Sequence, residues 1–282
     1  MTPREIAKRL LPPLLLDAAR AARRALHPDA PAGDATWRDV RAGVLAGHAL
    51  RLPAPREAWV HAMLGGAYEP VFAAAVTATV RPGDVCYDLG AHIGYYSLVM
   101  ALRAGPGGAV HAFEPYAPNA ARLREHAARN ADPSARAPIH VHACALADAT
   151  GEGALVGAGD GDAVSTLSHL DGARGVLDPA WRARFGAFPR QAVPVWRLDD
   201  WRAHTGAAAP DLLKIDVEGS ELAVLHGARG TLAAARPVVL AELHNAGLAA
   251  ECGAYLGGLG YTVEVVACET GGDCIVRATH TR

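Results

Sequence analysis

Two pairs of polar residues invite a chemical reading before any architecture is assumed. Asp216 and Glu218 follow the apolar stretch 212–215, and Glu242 and His244 close the stretch 238–244. In an extended chain, a spacing of two puts each pair on one side of the backbone. Such a set can hold a hydroxyl and take its proton as the oxygen becomes a nucleophile. Imidazole titrates near neutral pH, which makes His244 the first candidate for the base, with Asp216 orienting the substrate or a cationic donor. The same four residues could instead hold a divalent cation such as magnesium, manganese or iron. Because spacing alone supplies no liganding geometry, a divalent metal is not favoured and no metal ligand is assigned. Lys214 is expected to pack its stem and reach an acid, and Glu221 to be a first-turn helix acid.

A second constellation lies upstream. Residues 85–98 read as a strand that runs through a glycine-bearing turn into a helix, with Asp88 at the strand end and Gly90 and Gly94 in the turn. Glycine suits a turn where the backbone is tight and a ligand must come close. A dinucleotide enzyme would carry G-x-G-x-x-G, but His92 takes the middle glycine's place and the spacing is G-x-x-x-G, which argues against a nicotinamide-dependent dehydrogenase. Asp88 suits a ligand with a cationic amine, or a turn that needs an acidic acceptor. Further on, the stretch 109–115 ends in Phe113, Glu114 and Pro115, placing a carboxylate where it can accept hydrogen bonds from both hydroxyls of a ribose.

These residues need a scaffold that brings strand ends together. Short apolar runs alternate with alanine- and leucine-rich stretches at helical spacing, which predicts βαβ units on a parallel sheet. Strands are expected at 85–89, 109–113, 139–143, 212–215, 238–243, 262–266 and 274–277. The expected class is α/β: a Rossmann-like, seven-stranded, mostly parallel sheet flanked by helices, spanning residues 66–282. Residues 1–65, broken by Pro28, Pro31, Pro53 and Pro55, are expected to form a helical and loop-like N-terminal extension or cap. The segment 157–194 is read as a long substrate loop, with Trp181, Phe185, Phe188 and Trp196 offering an apolar wall.

The wording Asp-Leu-Gly-Ala-His-Ile-Gly-Tyr-Tyr-Ser from Asp88, followed by Phe113-Glu114-Pro115 and Asn119, resembles the FkbM family of class I methyltransferases. The resemblance continues through Ala145-Leu146-Ala147-Asp148, Leu198-Asp199-Asp200, the stretch 213–221 and Glu242-Leu243-His244, covering about residues 70–245. His92 departs from it, since the family usually carries asparagine there. The resemblance implies an S-adenosylmethionine-dependent O-methyltransferase that releases S-adenosylhomocysteine. Its acceptor would be a hydroxyl on a sugar, glycolipid or secondary metabolite; an N-methyltransferase would use the same cofactor site. Asp88, Gly90 and Gly94 would hold the methionine end, Glu114 the ribose, and Ala145, Leu146 and Asp148 would border the adenine. Ala91, His92, Tyr95, Pro115 and Asp216 would complete the cofactor site, while Asn119 is expected to be structural.

Composition narrows the partners. Lys plus Arg total 27 against 29 Asp plus Glu, a formal net charge of -2, so no global basic field is available to hold nucleic acid and a small-molecule acceptor is expected. The apolar residues 10–16 are interrupted by Pro12 and Pro13 and are too short to span a bilayer, so no integral membrane segment is expected. Five cysteines without a C-x-x-C pair suggest neither a disulfide framework nor a zinc site, and a cytoplasmic location is expected. A homodimer is compatible with all of this.

Overall fold

Alternation within the central strands explains how the sheet comes to be covered on both sides. The computed structural model describes residues 35–53, 58–156, 169–170, 190–268 and 273–280. The chain first forms Thr36–Asp39 (β1) and Ala49–Leu52 (β2), then Ala58–Gly65 (α1) and Pro70–Thr79 (α2). Two strand–helix steps and a further strand follow: Val85–Leu89 (β3) with Tyr95–Ala104 (α3), Ala109–Phe113 (β4) with Ala117–Arg129 (α4), and Ile139–His142 (β5). Next come Ala145–Leu146 (β6), Gly151–Val156 (β7), His169–Leu170 (β8), Arg190–Trp196 (β9) and Leu198–Thr205 (α5). The chain continues through Leu212–Ile215 (β10), Glu221–Gly227 (α6), Arg229–Ala235 (α7), Val238–Leu243 (β11) and Ala246–Gly258 (α8). It closes with Tyr261–Cys268 (β12) and Cys274–His280 (β13).

The seven-stranded sheet has the order β12-β13-β11-β10-β3-β4-β5. β11, β10, β3, β4 and β5 run parallel, and β13 and β12 join antiparallel. Odd and even residues of the central strands feed different cores. Cys86, Leu212 and Leu240 pack with α1, α2 and α3, whereas Tyr87, Leu89, Leu213, Ile215, Val239 and Ala241 pack with α5, α6, α7 and α8. This is the Rossmann-like α/β arrangement expected, with β12 and β13 longer than anticipated.

The described part of the N-terminal stretch differs from the helical cap expected. Residues 1–34 lie outside the described residues, and 36–52 form an antiparallel ribbon of β1 and β2 ahead of α1. Leu45, Leu50, Leu52, Val60 and Met63 join the same core as α3, so this part belongs to one face of the main domain. The outer edge of β2 is satisfied by a helix. Asn130 accepts from Ala49 N–H at 2.9 Å and donates to Ala49 O at 2.8 Å, His126 Nε2 accepts from Arg51 N–H at 2.7 Å, and Arg122 donates to Arg51 O at 2.9 Å. Residues 122, 126 and 130 recur every fourth position and so share one face at α4. Since His126 Nε2 is an acceptor, its Nδ1–H donates to Ile93 O at 2.8 Å, tying the ribbon to the turn after β3.

The expected loop 157–194 is also corrected in part. Residues 157–168 and 171–189, with Trp181, Phe185 and Phe188, lie outside the described residues. Residues 190–196, however, form β9 in a second sheet of order β6-β9-β7-β8. Val193 and Val195 are buried while Arg190, Ala192 and Pro194 face out, an alternation that Pro194 obscures in the sequence. Trp196 stacks on His204. The cysteine expectation is corrected as well: Cys268 and Cys274 are opposed in the β12–β13 register with Cα atoms 4.1 Å apart, and they form a disulfide. Cys86, Cys144 and Cys252 are buried and lie outside this disulfide.

Candidate active site

The central parallel strands deliver their polar ends to one edge. β3 ends beside β10, with Asp88 opposite Lys214 in the register. Lys214 Nζ lies 3.1 Å from Asp88 Oδ1 and 3.3 Å from Asp216 Oδ2, and donates to Gly90 O at 2.9 Å. Burial opposes the ammonium's charge, but Asp88 and Asp216 outweigh it and its pKa is raised. Lys214 therefore reaches an acid as expected, and it is a fixed cation at the centre. Asp88, expected at the methionine end of the ligand, has a carboxylate that is 0% exposed, 3.1 Å from Lys214 Nζ and accepting from Ser97 Oγ at 2.6 Å.

Gly90 (φ +77°) and Gly94 (φ +89°) hold the turn between β3 and α3 in the left-handed region. A Cβ at Gly90 would stand 1.8 Å from Asp216 O, so the strand ends approach closer than any side chain allows. The turn borders a cavity lined by Met63, Tyr68, Ala91, Tyr96, Lys214 and Asp216, with Gly90, His92 and Tyr95 completing the wall. Tyr96 donates to Glu69 at 2.9 Å, and Lys214 Nζ stands 5.6 Å from the Tyr96 ring centre. His92 adopts φ +51°, its pKa is pushed by burial down to about 4, and its buried Nε2 has no hydrogen-bond partner among the described residues.

Glu114, at the end of β4, accepts from His92 N–H at 2.8 Å and Tyr116 N–H at 2.9 Å, and is also bonded by the buried Asn119. Burial pushes its carboxyl up to about 7 against those donors. These donors occupy three of the roughly four acceptor directions of a carboxylate. Pro115 follows it into α4. Ala145 and Leu146 pack in β6 and Asp148 is exposed; among the described residues none of the three lines the cavity.

The two pairs singled out first do converge. His244 Nδ1 is 2.7 Å from Glu221 Oε1, and its Nε2 is 3.6 Å from both Asp216 Oδ1 and Glu218 Oε2. Burial lowers its proton affinity, yet the Glu221 hydrogen bond and the charges of Glu218 and Asp216 prevail and raise it to about 10. The three acids therefore favour the protonated imidazole, opposite to the shift that burial alone would give. Burial raises Glu218 to about 7, and burial with Asp216 raises Glu242 to about 8. Glu221, expected to be an ordinary first-turn acid, is 0% exposed and orients His244 while accepting Gly219 N–H at 3.0 Å. Glu69 and Tyr68 were not anticipated either. Both follow Gly65 and Gly66 in a stretch without periodicity, and only the fold brings them to Tyr96.

The chain is similar to known proteins. A sequence profile of the methyltransferase FkbM domain matches residues 88–263. The chain is 35% identical over 201 residues to the 31-O-demethyl-FK506 methyltransferase FkbM of Streptomyces tacrolimicus, covering 65% of this chain and 75% of that protein. It is 31% identical over 192 residues to the AMB antimetabolite synthetase AmbE of Pseudomonas aeruginosa, covering 58% of this chain but 8% of that one. The crystal structure of methyltransferase FkbM from Methylobacillus flagellatus KT is similar at TM-score 0.48 and 18% identity, covering 73% of this chain and 50% of that chain.

Proposed function

The chain belongs to the FkbM methyltransferase family, and from that premise we propose that it transfers a methyl group from S-adenosylmethionine to a hydroxyl of a small molecule. Glu114 carries this reading. It is a strand-end carboxylate fixed by two backbone amides beside the Gly90–Gly94 turn, with one acceptor direction left for a ribose hydroxyl. The residues present fit such a cofactor, since the unpaired His92 Nε2 and the tyrosine-lined cavity face the same turn and aromatic faces suit a sulfonium cation. Bound there, S-adenosylmethionine supplies a methyl on positive sulfur. Transfer forms the carbon–oxygen bond as the carbon–sulfur bond breaks, leaving S-adenosylhomocysteine.

The protein's part is alignment and proton removal. Lys214 clamps Asp216 beside Gly90, holding one wall of the cavity, and Asp216, Glu218, Glu242 and His244 at the ends of β10 and β11 are the groups placed to receive the hydroxyl proton. That acidic edge repels phosphates, which supports a small-molecule acceptor over nucleic acid. The Streptomyces relative is named for a demethylated oxygen, and this likeness supports oxygen as the acceptor here. Among the described residues no helix is long and apolar enough to cross a membrane.

The test is calorimetric titration with S-adenosylmethionine, S-adenosylhomocysteine and NADH in parallel. The first two should bind and NADH should not, and Glu114→Ala should weaken both by at least tenfold, about 1.4 kcal/mol. Binding of NADH alone, or unchanged affinity in the variant, would overturn the donor site. A methylated product carrying its new group on nitrogen would overturn the hydroxyl acceptor.

A further inference from the structure

We propose that Asp216, Glu218 and His244 form a divalent-cation site, beside the cavity, that binds the acceptor oxygen. The three residues come from the ends of the neighbouring parallel strands β10 and β11, and their ligand atoms all lie within 4.8 Å of one another. His244 Nε2 stands 3.6 Å from an oxygen of each acid. That is too long for a hydrogen bond and suits ligands sharing one ion. A triangle of these dimensions has a centre about 2.4 Å or less from every corner, within the range of metal–oxygen bonds.

The other side of the imidazole supplies an independent reason. Histidine ligands to metals commonly donate their second ring N–H to a carboxylate, which fixes the tautomer and aims the free nitrogen. Glu221 does this from within the core at 2.7 Å, and its Oε2 has no hydrogen-bond partner among the described residues. With Nδ1–H committed to Glu221, Nε2 is the atom left to bind an ion. Two carboxylates and one imidazole suit manganese or magnesium, and three protein ligands leave octahedral positions for water and an acceptor oxygen.

Asp216 joins this site to the cavity. Its Oδ2 faces Lys214, which bonds the Gly90 turn, and its Oδ1 faces His244. An acceptor hydroxyl held by the cation would stand at the cavity wall with its proton acidified, ready to leave to a neighbouring carboxylate. This role rests on the methyl-transfer reading; the cation site itself does not.

The probe is Mn2+, titrated by electron paramagnetic resonance into full-length protein stripped with EDTA, with S-adenosylhomocysteine titrated separately by calorimetry. One Mn2+ should bind per chain, Mg2+ should compete for it, and the bound signal should show nitrogen coupling from one imidazole. Glu218→Gln should weaken binding at least tenfold and Glu221→Gln should lower it through His244, while Glu264→Gln, on the exposed face of β12, should leave it unchanged. Absence of bound Mn2+, absence of nitrogen coupling, or unaltered binding in Glu218→Gln would overturn the site. The nitrogen coupling is read on the unaltered protein, so a variant that fails to fold does not remove the test. If S-adenosylhomocysteine binds and Mn2+ does not, the cation site falls and the donor reading stands; the reverse result removes the donor reading and keeps the site.

Discussion

Acidification should loosen the protein through His126. The ring is 0% exposed, accepts from Arg51 N–H and donates to Ile93 O, so both nitrogens are committed in the neutral form. Burial, with Arg122 nearby, pushes its pKa from 6.5 down to about 4. Between those values the unfolded chain holds a proton that the native state does not, so stability rises with pH across the window and is lost on acidification. At 1.36 kcal/mol per pH unit, the part lost between pH 7 and pH 5 is about 2 kcal/mol, and about 3 kcal/mol by pH 4. His111 and His142, also pushed down to about 4, act in the same direction, so the contribution of His126 must be isolated by difference. His126→Gln keeps a donor and an acceptor and removes the titration. Urea unfolding followed by circular dichroism at pH 7, 6 and 5 should show the wild type's advantage over the variant shrinking by about 2 kcal/mol over that range. Parallel stability curves would refute the assignment of neutral, doubly bonded His126.

Three further outcomes follow from the same contacts. Lys214→Met leaves Asp88 buried without its cation and should cost about 3–5 kcal/mol in urea unfolding, with Asp88→Asn in the same chain restoring part of the loss. Gly90→Ala forces a Cβ onto Asp216 O at a left-handed φ and should destabilise by about 3 kcal/mol or more and abolish S-adenosylhomocysteine binding in calorimetry. Cys268→Ser opens the short loop closed by the disulfide and should lower stability by about 2 kcal/mol, with added reductant shifting the wild-type melting temperature and leaving the variant's unchanged.

The central parallel strands β3, β10 and β11 were legible because each is a short, largely apolar and largely buried run, and such runs stand out whatever surrounds them. β3, β4, β10 and β11 occupy the residues expected. The ribbon of β1 and β2 was not legible, since its outer edge is completed by side chains of a helix some seventy residues away. β9 was hidden by Pro194, and the disulfide by the absence of any motif that marks a hairpin's opposed pair. At the site, sequence spacing correctly brought Asp216, Glu218 and His244 together. It could not reveal who neutralises whom. Neither the Lys214 ammonium against Asp88 nor the three carboxylates around His244 can be read from spacing along the chain. Charge balance of this kind depends on distances between strands, and distances are absent from a linear pattern.

The bulge between Val265 and Ala267 gives β12 a property beyond its irregular register. Among the described residues β12 is an edge of the large sheet, and Val265 there is 60% exposed. An edge of unpaired backbone groups beside apolar side chains is a template on which another chain can add a strand, the first step toward intermolecular aggregation. A bulge breaks the two-residue repeat of those groups and twists the edge, so an incoming strand meets matching partners over only a short length. The irregularity in β12 therefore shortens the stretch of this edge on which another chain could pair in register.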